Sequence, residues 1–118
     1  MDARKIMAGG LPSTVALAIA GDVGTLAATG SAQTDAAAIT ADVTRVTGAD
    51  GTKGVILPAV GSGYYVIGNA VASILKVYPP SGGAINGGSA NAAFSQTASK
   101  NAVYYYASAT DIVAVLSA

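Results

Sequence analysis

The sequence predicts an all-β fold, a small antiparallel β-sandwich or barrel, jelly-roll-like, with an extended N-terminal arm. Three observations carry this. Short runs rich in Val, Ile, Thr and Tyr recur from residue 23 onward, punctuated by turn residues every roughly 8–12 positions, the spacing of many-stranded sandwiches and barrels. Helical periodicity fades after residue 22, and no internal repeat of roughly 20–50 residues stands out. The 118 residues are 52% apolar and carry no net charge, enough for one domain and the reverse of a disordered composition. Ala is the commonest residue, so the core is thin and rests on Val, Ile, Leu and Tyr.

Residues 1–22 read as the arm and residues 23–118 as the β domain. Within the arm, Leu11, Val15, Ala18 and Ile19 sit at helical spacing after Pro12-Ser13, which fits a short helix. Arg4 and Lys5 followed by an uncharged run to Gly21 outline a secretory signal. Gly9, Gly10 and Pro12 break that run and Ser13 and Thr14 make it polar, so the segment is expected to stay as an arm. Its apolar anchors are Ile6, Met7, Leu11, Val15 and Leu17.

Along the β domain, Thr40–Thr47 carries the β-branched residues that suit a pleated sheet. Asp50-Gly51 is a turn signal. Val55–Leu57 is a short apolar run stopped by Pro58, and Tyr64–Ile67 another, stopped by Gly68-Asn69. Gly54–Leu75 is uncharged and about membrane length, but Pro58, Gly61, Ser62, Gly63 and Asn69 cut it into two strand-like pieces. Ser73–Tyr78 alternates, with Ile74 and Lys76 on one face and Leu75 and Val77 on the other. Ser81–Asn91 reads as a loop with one buried anchor, Ile85. Strands follow around Phe94 (Ala92–Thr97), at Ala102–Ala107 and at Ile112–Leu116. The glycine-rich stretches at Gly61–Gly63 and Gly82–Gly88 read as hairpin loops, since no phosphate-loop lysine follows them.

The composition excludes several functions. Six Lys or Arg are scattered and matched by six Asp, so no basic stripe exists for nucleic acid. Without cysteine there are neither disulfides nor thiolate metal sites. His, Cys and Glu, the usual acid–base and nucleophilic groups, are absent, and the Asp residues are dispersed. Asn86, Asn91 and Asp50 offer oxygen ligands, but no Asp-rich loop gathers them for calcium. No enzyme activity, cofactor or metal is therefore expected. With 10% charged residues, much of the surface is expected to be covered by copies of the chain or by a larger assembly. The alternative is a soluble surface of Ala, Gly, Ser and Thr.

The most informative side chains are Tyr104, Tyr105 and Tyr106. Alternation sends Tyr104 and Tyr106 to one face of a strand and Tyr105 to the other. The triplet reads as a contact surface for a neighbouring subunit or a glycan, or as plain core with one half-buried ring.

Residues 54–116 carry a resemblance. Gly-Val-Ile-Leu-Pro (54–58) is followed by Val-Ile-Gly-Asn (66–69), Leu-Lys-Val-Tyr-Pro (75–79), Gly-Gly-Ala-Ile-Asn-Gly (82–87), Ala-Asn-Ala-Ala-Phe (90–94) and a Lys-led aromatic strand (100–106). The upstream Ala-Ile-Thr-Ala-Asp-Val-Thr-Arg-Val (38–46) fits the same pattern. The order resembles small structural proteins of tailed bacteriophages that decorate the head or form its fibres; where that family often has an aromatic near the last strand, this chain has Ile112. The resemblance implies an all-β, non-enzymatic virion protein on the capsid outer surface. It would stabilise the shell by bridging major capsid protein subunits, often as a homotrimer, without membrane or nucleic-acid partners. Two other classes compete with this cement role: a receptor- or glycan-binding knob of a head fibre or tail, and a pilus-like subunit that pairs by strand exchange.

Overall fold

The computed structural model describes residues 23–117. They form ten strands: β1 (Val23–Ala27), β2 (Ala37–Ala38), β3 (Val43–Thr47), β4 (Gly54–Ile56), β5 (Tyr64–Asn69), β6 (Leu75–Tyr78), β7 (Ala84–Ile85), β8 (Phe94–Gln96), β9 (Asn101–Tyr106) and β10 (Asp111–Leu116). A single 3₁₀ turn, Gln33–Asp35, lies between β1 and β2. The strands make a six-stranded sheet in the order β1-β3-β5-β9-β10-β7 and a four-stranded sheet in the order β2-β4-β6-β8. The expected all-β class is present, built as two sheets.

The path between the sheets differs from an antiparallel sandwich. From β1 to β6 the chain crosses from one sheet to the other after every strand. Each pair of strands is thus one coil, and three coils stack with parallel pairing. Val23 lies beside Val43 and Val43 beside Val66, steps of 20 and 23 residues. On the opposite sheet Ala37 lies beside Val55 and Val55 beside Val77, steps of 18 and 22. A period is therefore present where none was evident by eye, because the steps vary and few residues recur. Only at the far end does the chain reverse. β8 pairs antiparallel with β6, β9 antiparallel with β5, and β10 closes a hairpin with β9.

Five of the eight pairings are parallel, which corrects the antiparallel expectation. Short strands with closely spaced turn signals point to an antiparallel sandwich, and a one-sided apolar pattern fits it, since parallel sheets are usually buried on both faces. In stacked coils each strand has one face inside and one outside, so its sequence alternates just as an antiparallel strand does. The glycine-rich stretches are corrected for the same reason. Gly61–Gly63 lies between β4 and β5, and Gly82–Gly88 flanks β7, so both join opposite sheets and neither closes a hairpin.

Between the sheets lies a core of Ile39, Val46, Val55, Leu57, Ile67, Leu75, Val77, Tyr104, Tyr106 and Ile112. The expected alternation of β6 holds: Leu75 and Val77 are fully buried and Ile74 is exposed. Ile85 is buried as the expected anchor, on the short strand β7. Edge-to-face contacts join Phe94 to Tyr104 and Tyr65 to Tyr106, with ring centroids 6.0 and 5.8 Å apart.

One polar cluster pins this core. Gln96 is fully buried. Its amide donates to the carbonyls of Ile67 and Lys100, both at 2.8 Å, and its Oε1 accepts from the Tyr104 hydroxyl at 2.8 Å. Gln96 belongs to the four-stranded sheet and its partners to or beside the six-stranded one, so the bonds staple the two layers together. Beside it the Asn69 amide donates to the carbonyls of Ser73 at 2.8 Å and Thr97 at 3.3 Å. No buried side-chain nitrogen or oxygen among the described residues lacks a partner.

Candidate functional site

The outer face of the six-stranded sheet gathers apolar side chains that the core does not use. The registers Val23–Val43, Val43–Val66, Val66–Val103 and Val103–Val115 run one valine row across five neighbouring strands. A second row, Tyr64–Tyr105–Val113, crosses β5, β9 and β10 beside it. On β3 and β9 these positions alternate with buried residues, and the register carries the same outward face to β1, β5 and β10. Exposure is large for such residues: 78% for Val23, 61% for Val115, 54% for Tyr105 and 45% for Tyr64. Val43 and Val66, mid-row, are half-buried by their neighbours.

Between the valine row and the strand ends the face dips into an open groove of about 290 Å³, bordered by Val43, Arg45, Val66, Gly68 and Asn101. Gly68 creates the dip, since its position on the sheet carries no side chain. A Cβ there would meet the Asn101 Oδ1 at 2.9 Å. A second shallow depression continues over Val103, Val115 and Leu116. Among the described residues, Arg45 is the one charged side chain bordering the groove. The arrangement can bury apolar area against a complementary surface, at roughly 25 cal/mol per Å² of apolar area removed from water.

The structure divides the expected interface residues. Tyr105 lies on the exposed face. Tyr104 and Tyr106 lie in the core, with 0% and 3% exposure, so neither offers a surface to a neighbour. Burial pushes the pKa of the Tyr104 hydroxyl far up, so this group stays protonated and a donor to Gln96. Burial raises Tyr106 likewise, with Tyr65 adding to it, and the Tyr106 hydroxyl donates to the Pro58 carbonyl. Ile6, Met7, Leu11, Val15 and Leu17 lie outside the described residues.

The valine row escaped the sequence reading because it is a cross-strand feature. Its members are separated by 12 to 37 residues in the chain and meet only through the register. The available signal was the outward position of each β-branched residue within its own strand.

The polar candidates have structural roles. Asp50 Oδ1 accepts from the Thr52 amide at 2.9 Å, the Thr52 hydroxyl at 2.7 Å and the Lys53 amide at 3.0 Å. These bonds hold its carboxyl at about 2, below the ordinary carboxylate range. Asn86 exchanges bonds with the Ala114 backbone, its Oδ1 accepting at 2.9 Å and its Nδ2 donating at 3.3 Å. Asn91 Oδ1 accepts from the Gly82 amide at 2.6 Å and from Gln33 at 3.1 Å. Among the described residues no three carboxylates or other metal-ligating groups converge, and no helix is long and apolar enough to cross a membrane. No family model matches this chain, and neither does any curated protein or solved structure.

Proposed function

We infer that the chain is a non-enzymatic structural subunit of a larger assembly: a virion protein that decorates a phage capsid and stabilises it by bridging capsid subunits, working as a homo-oligomer. The observation that supports this reading is the valine row with Tyr64, Tyr105 and Val113 beside it, a broad apolar face on a nearly uncharged chain. Large exposed apolar faces mark association sites rather than catalytic ones. The homotrimer and the major capsid protein as partner come from the resemblance of residues 54–116 to phage head proteins.

The test places charge in the middle of the face. The double substitution Val103→Asp and Val115→Asp alters only outward positions, so circular dichroism and melting temperature should stay close to those of the wild type. Sedimentation should show an oligomer at micromolar concentration for the wild type and a monomer for the variant, with particle binding lost in parallel. A wild-type chain that stays monomeric and ignores purified particles would sink the reading.

The neighbouring rings of Tyr64 and Tyr105 favour a second reading, a glycan-binding knob, because sugar rings stack on exposed aromatic faces. Tyr105→Ala should then abolish glycan binding while leaving association with particles intact.

A further inference from the structure

Asn86 is the one asparagine of the chain that precedes a glycine; Asn69, Asn91 and Asn101 each precede an alanine. It follows β7 directly and stands in a tight turn. The Gly88 amide donates to the Ile85 carbonyl at 3.1 Å, and the two residues between them, Asn86 and Gly87, have φ of +52° and +72°. Positive φ at both central positions is the pattern of the type I′ turn, for which Asn-Gly is the preferred pair. Both residues are exposed to solvent.

Asn86 does more than turn the chain. β7 is two residues long and lies against β10 at the end of the six-stranded sheet. Around that short pairing the Ala84 amide donates to the Thr110 carbonyl at 2.9 Å and the Asn86 amide to the Ile112 carbonyl at 2.8 Å. The Asn86 side chain then carries the ladder one step further. Its Oδ1 accepts from the Ala114 amide and its Nδ2 donates to the Ala114 carbonyl, so the side-chain amide takes the place of a backbone peptide.

An Asn-Gly pair also holds the two halves of a reaction. The side-chain Cγ is an electrophile, and the backbone nitrogen of the next residue is a nucleophile that glycine, lacking a Cβ, leaves unhindered. Among the described residues nothing accepts a hydrogen bond from the Gly87 amide, so the nucleophile is not tied up. The electrophile is tied up, by its two bonds to Ala114.

We propose that Asn86-Gly87 is a self-modification site, at which the chain deamidates whenever the Asn86–Ala114 pair opens. The Gly87 nitrogen gives its proton to water and bonds to Asn86 Cγ, the Cγ–Nδ2 bond breaks, and Nδ2 takes up a proton and leaves as ammonia. A water molecule then opens the five-membered succinimide ring at either of its carbonyls, leaving aspartate or isoaspartate. One water enters, one ammonia leaves, and nothing is oxidised or reduced. The site stands independently of the function inferred above. Its product acts on β10. Aspartate has no Nδ2 donor and sets a carboxylate oxygen against the Ala114 carbonyl, in place of a bond of 3.3 Å. Isoaspartate also lengthens the backbone by a methylene and shifts β7 off its register. Either one loosens β7 from β10, the strand that carries Val113 and Val115 of the apolar face.

Mass spectrometry of the full-length wild-type chain, held in mildly alkaline buffer and then digested with trypsin, reads the reaction. The peptide from Val77 to Lys100 carries both Asn86 and Asn91, so fragmentation compares the two sites on one molecule. Asn86 should convert at least about tenfold faster than Asn91 in the folded chain, and faster again by at least about tenfold in urea, because the rate follows the population of the opened pair. Equal conversion of Asn86 and Asn91, or no conversion of Asn86 in the folded chain, would overturn the site. Equal rates at Asn86 with and without urea would overturn its control by Ala114. The substitution Asn86→Asp isolates the effect of the product. It should speed hydrogen exchange of the Ala84 amide at least about tenfold while β3 and β5 exchange as in the wild type. Unchanged exchange at Ala84, or an equal acceleration in β3 and β5, would overturn the loosening of β7.

Discussion

Gln96 is the residue on which the two layers depend most. Replacing it by Ala removes three hydrogen bonds and leaves the buried Tyr104 hydroxyl without its acceptor, while the Lys100 carbonyl keeps its bond from the Asn69 amide. A lost hydrogen bond costs about 1 kcal/mol and a buried polar group left unpaired about 1–3 kcal/mol, so Gln96→Ala should lower unfolding free energy by about 2–4 kcal/mol in a denaturant titration. Tyr104→Phe removes one bond and should cost only about 1–2 kcal/mol. Asp50 gives a pH-dependent counterpart. Its three bonds favour the charged form and depress its pKa to about 2, below the value of the unfolded chain. Its contribution is therefore complete above about pH 4 and fades as pH falls through 2. The difference in melting temperature between wild type and Asp50→Asn should be constant at neutral pH and shrink between about pH 4 and 2. A difference that grows on acidification would contradict the turn geometry.

At the scale of the element, β9 shows what one strand encodes. Asn101–Tyr106 alternates exposed and buried throughout, so Tyr104 and Tyr106 serve the core while Tyr105 serves the surface. Tyr104→Ala should cost about 3–5 kcal/mol in stability, as large-to-small core changes do. Tyr105→Ala should leave the melting temperature nearly unchanged and weaken self-association in sedimentation. That opposition was legible in the sequence because strand alternation is a local property. The strands around Val55, Tyr64, Leu75, Phe94, Tyr104 and Ile112 were legible for the same reason, each being a β-branched or aromatic run bounded by turn residues. β2 was not, because Ala37–Ala38 is two alanines long and carries no strand preference of its own; the parallel register with β4 holds it there. Pairing direction was also hidden. A strand with one wet face alternates whether its neighbour runs up or down, so only the linkage between sheets distinguishes coils from hairpins. The candidate face was half legible: alternation set Tyr105 apart from Tyr104 and Tyr106 without saying which side is wet, and the valines are assembled only by register.

For the molecule as a whole, the missing charge becomes an expectation about solution behaviour. The chain carries six cations and six anions over 118 residues, and among the described residues one cation, Arg45, borders the groove on its apolar face. Association through such a face is driven by removal of apolar area from water, not by ion pairing. Raising sodium chloride from about 0.05 to 1 M shortens the screening length to about 3 Å, yet it should leave the self-association constant within a few-fold or strengthen it. A drop of a hundredfold would mean that charge pairs hold the assembly.

The reversal at the far end of the coils also sets an order of events during synthesis. The three described coils are complete once Tyr78 has been made, but the far side of β5 waits for β9 and that of β6 waits for β8. At about 5–20 residues per second, the stretch from Tyr78 to Tyr106 takes about 1.5–6 seconds to translate. Until Gln96 is made the nascent chain lacks the partners of both edges, and until Tyr106 that of β5, the kind of surface that recruits other chains. A ribosome that stalls within the Gly- and Asn-rich segment 81–91 would hold the protein in this sticky state. The rate at which codons in that segment are read therefore bears on how much of the product ends as aggregate, even though the segment itself adds only Ile85 to the core.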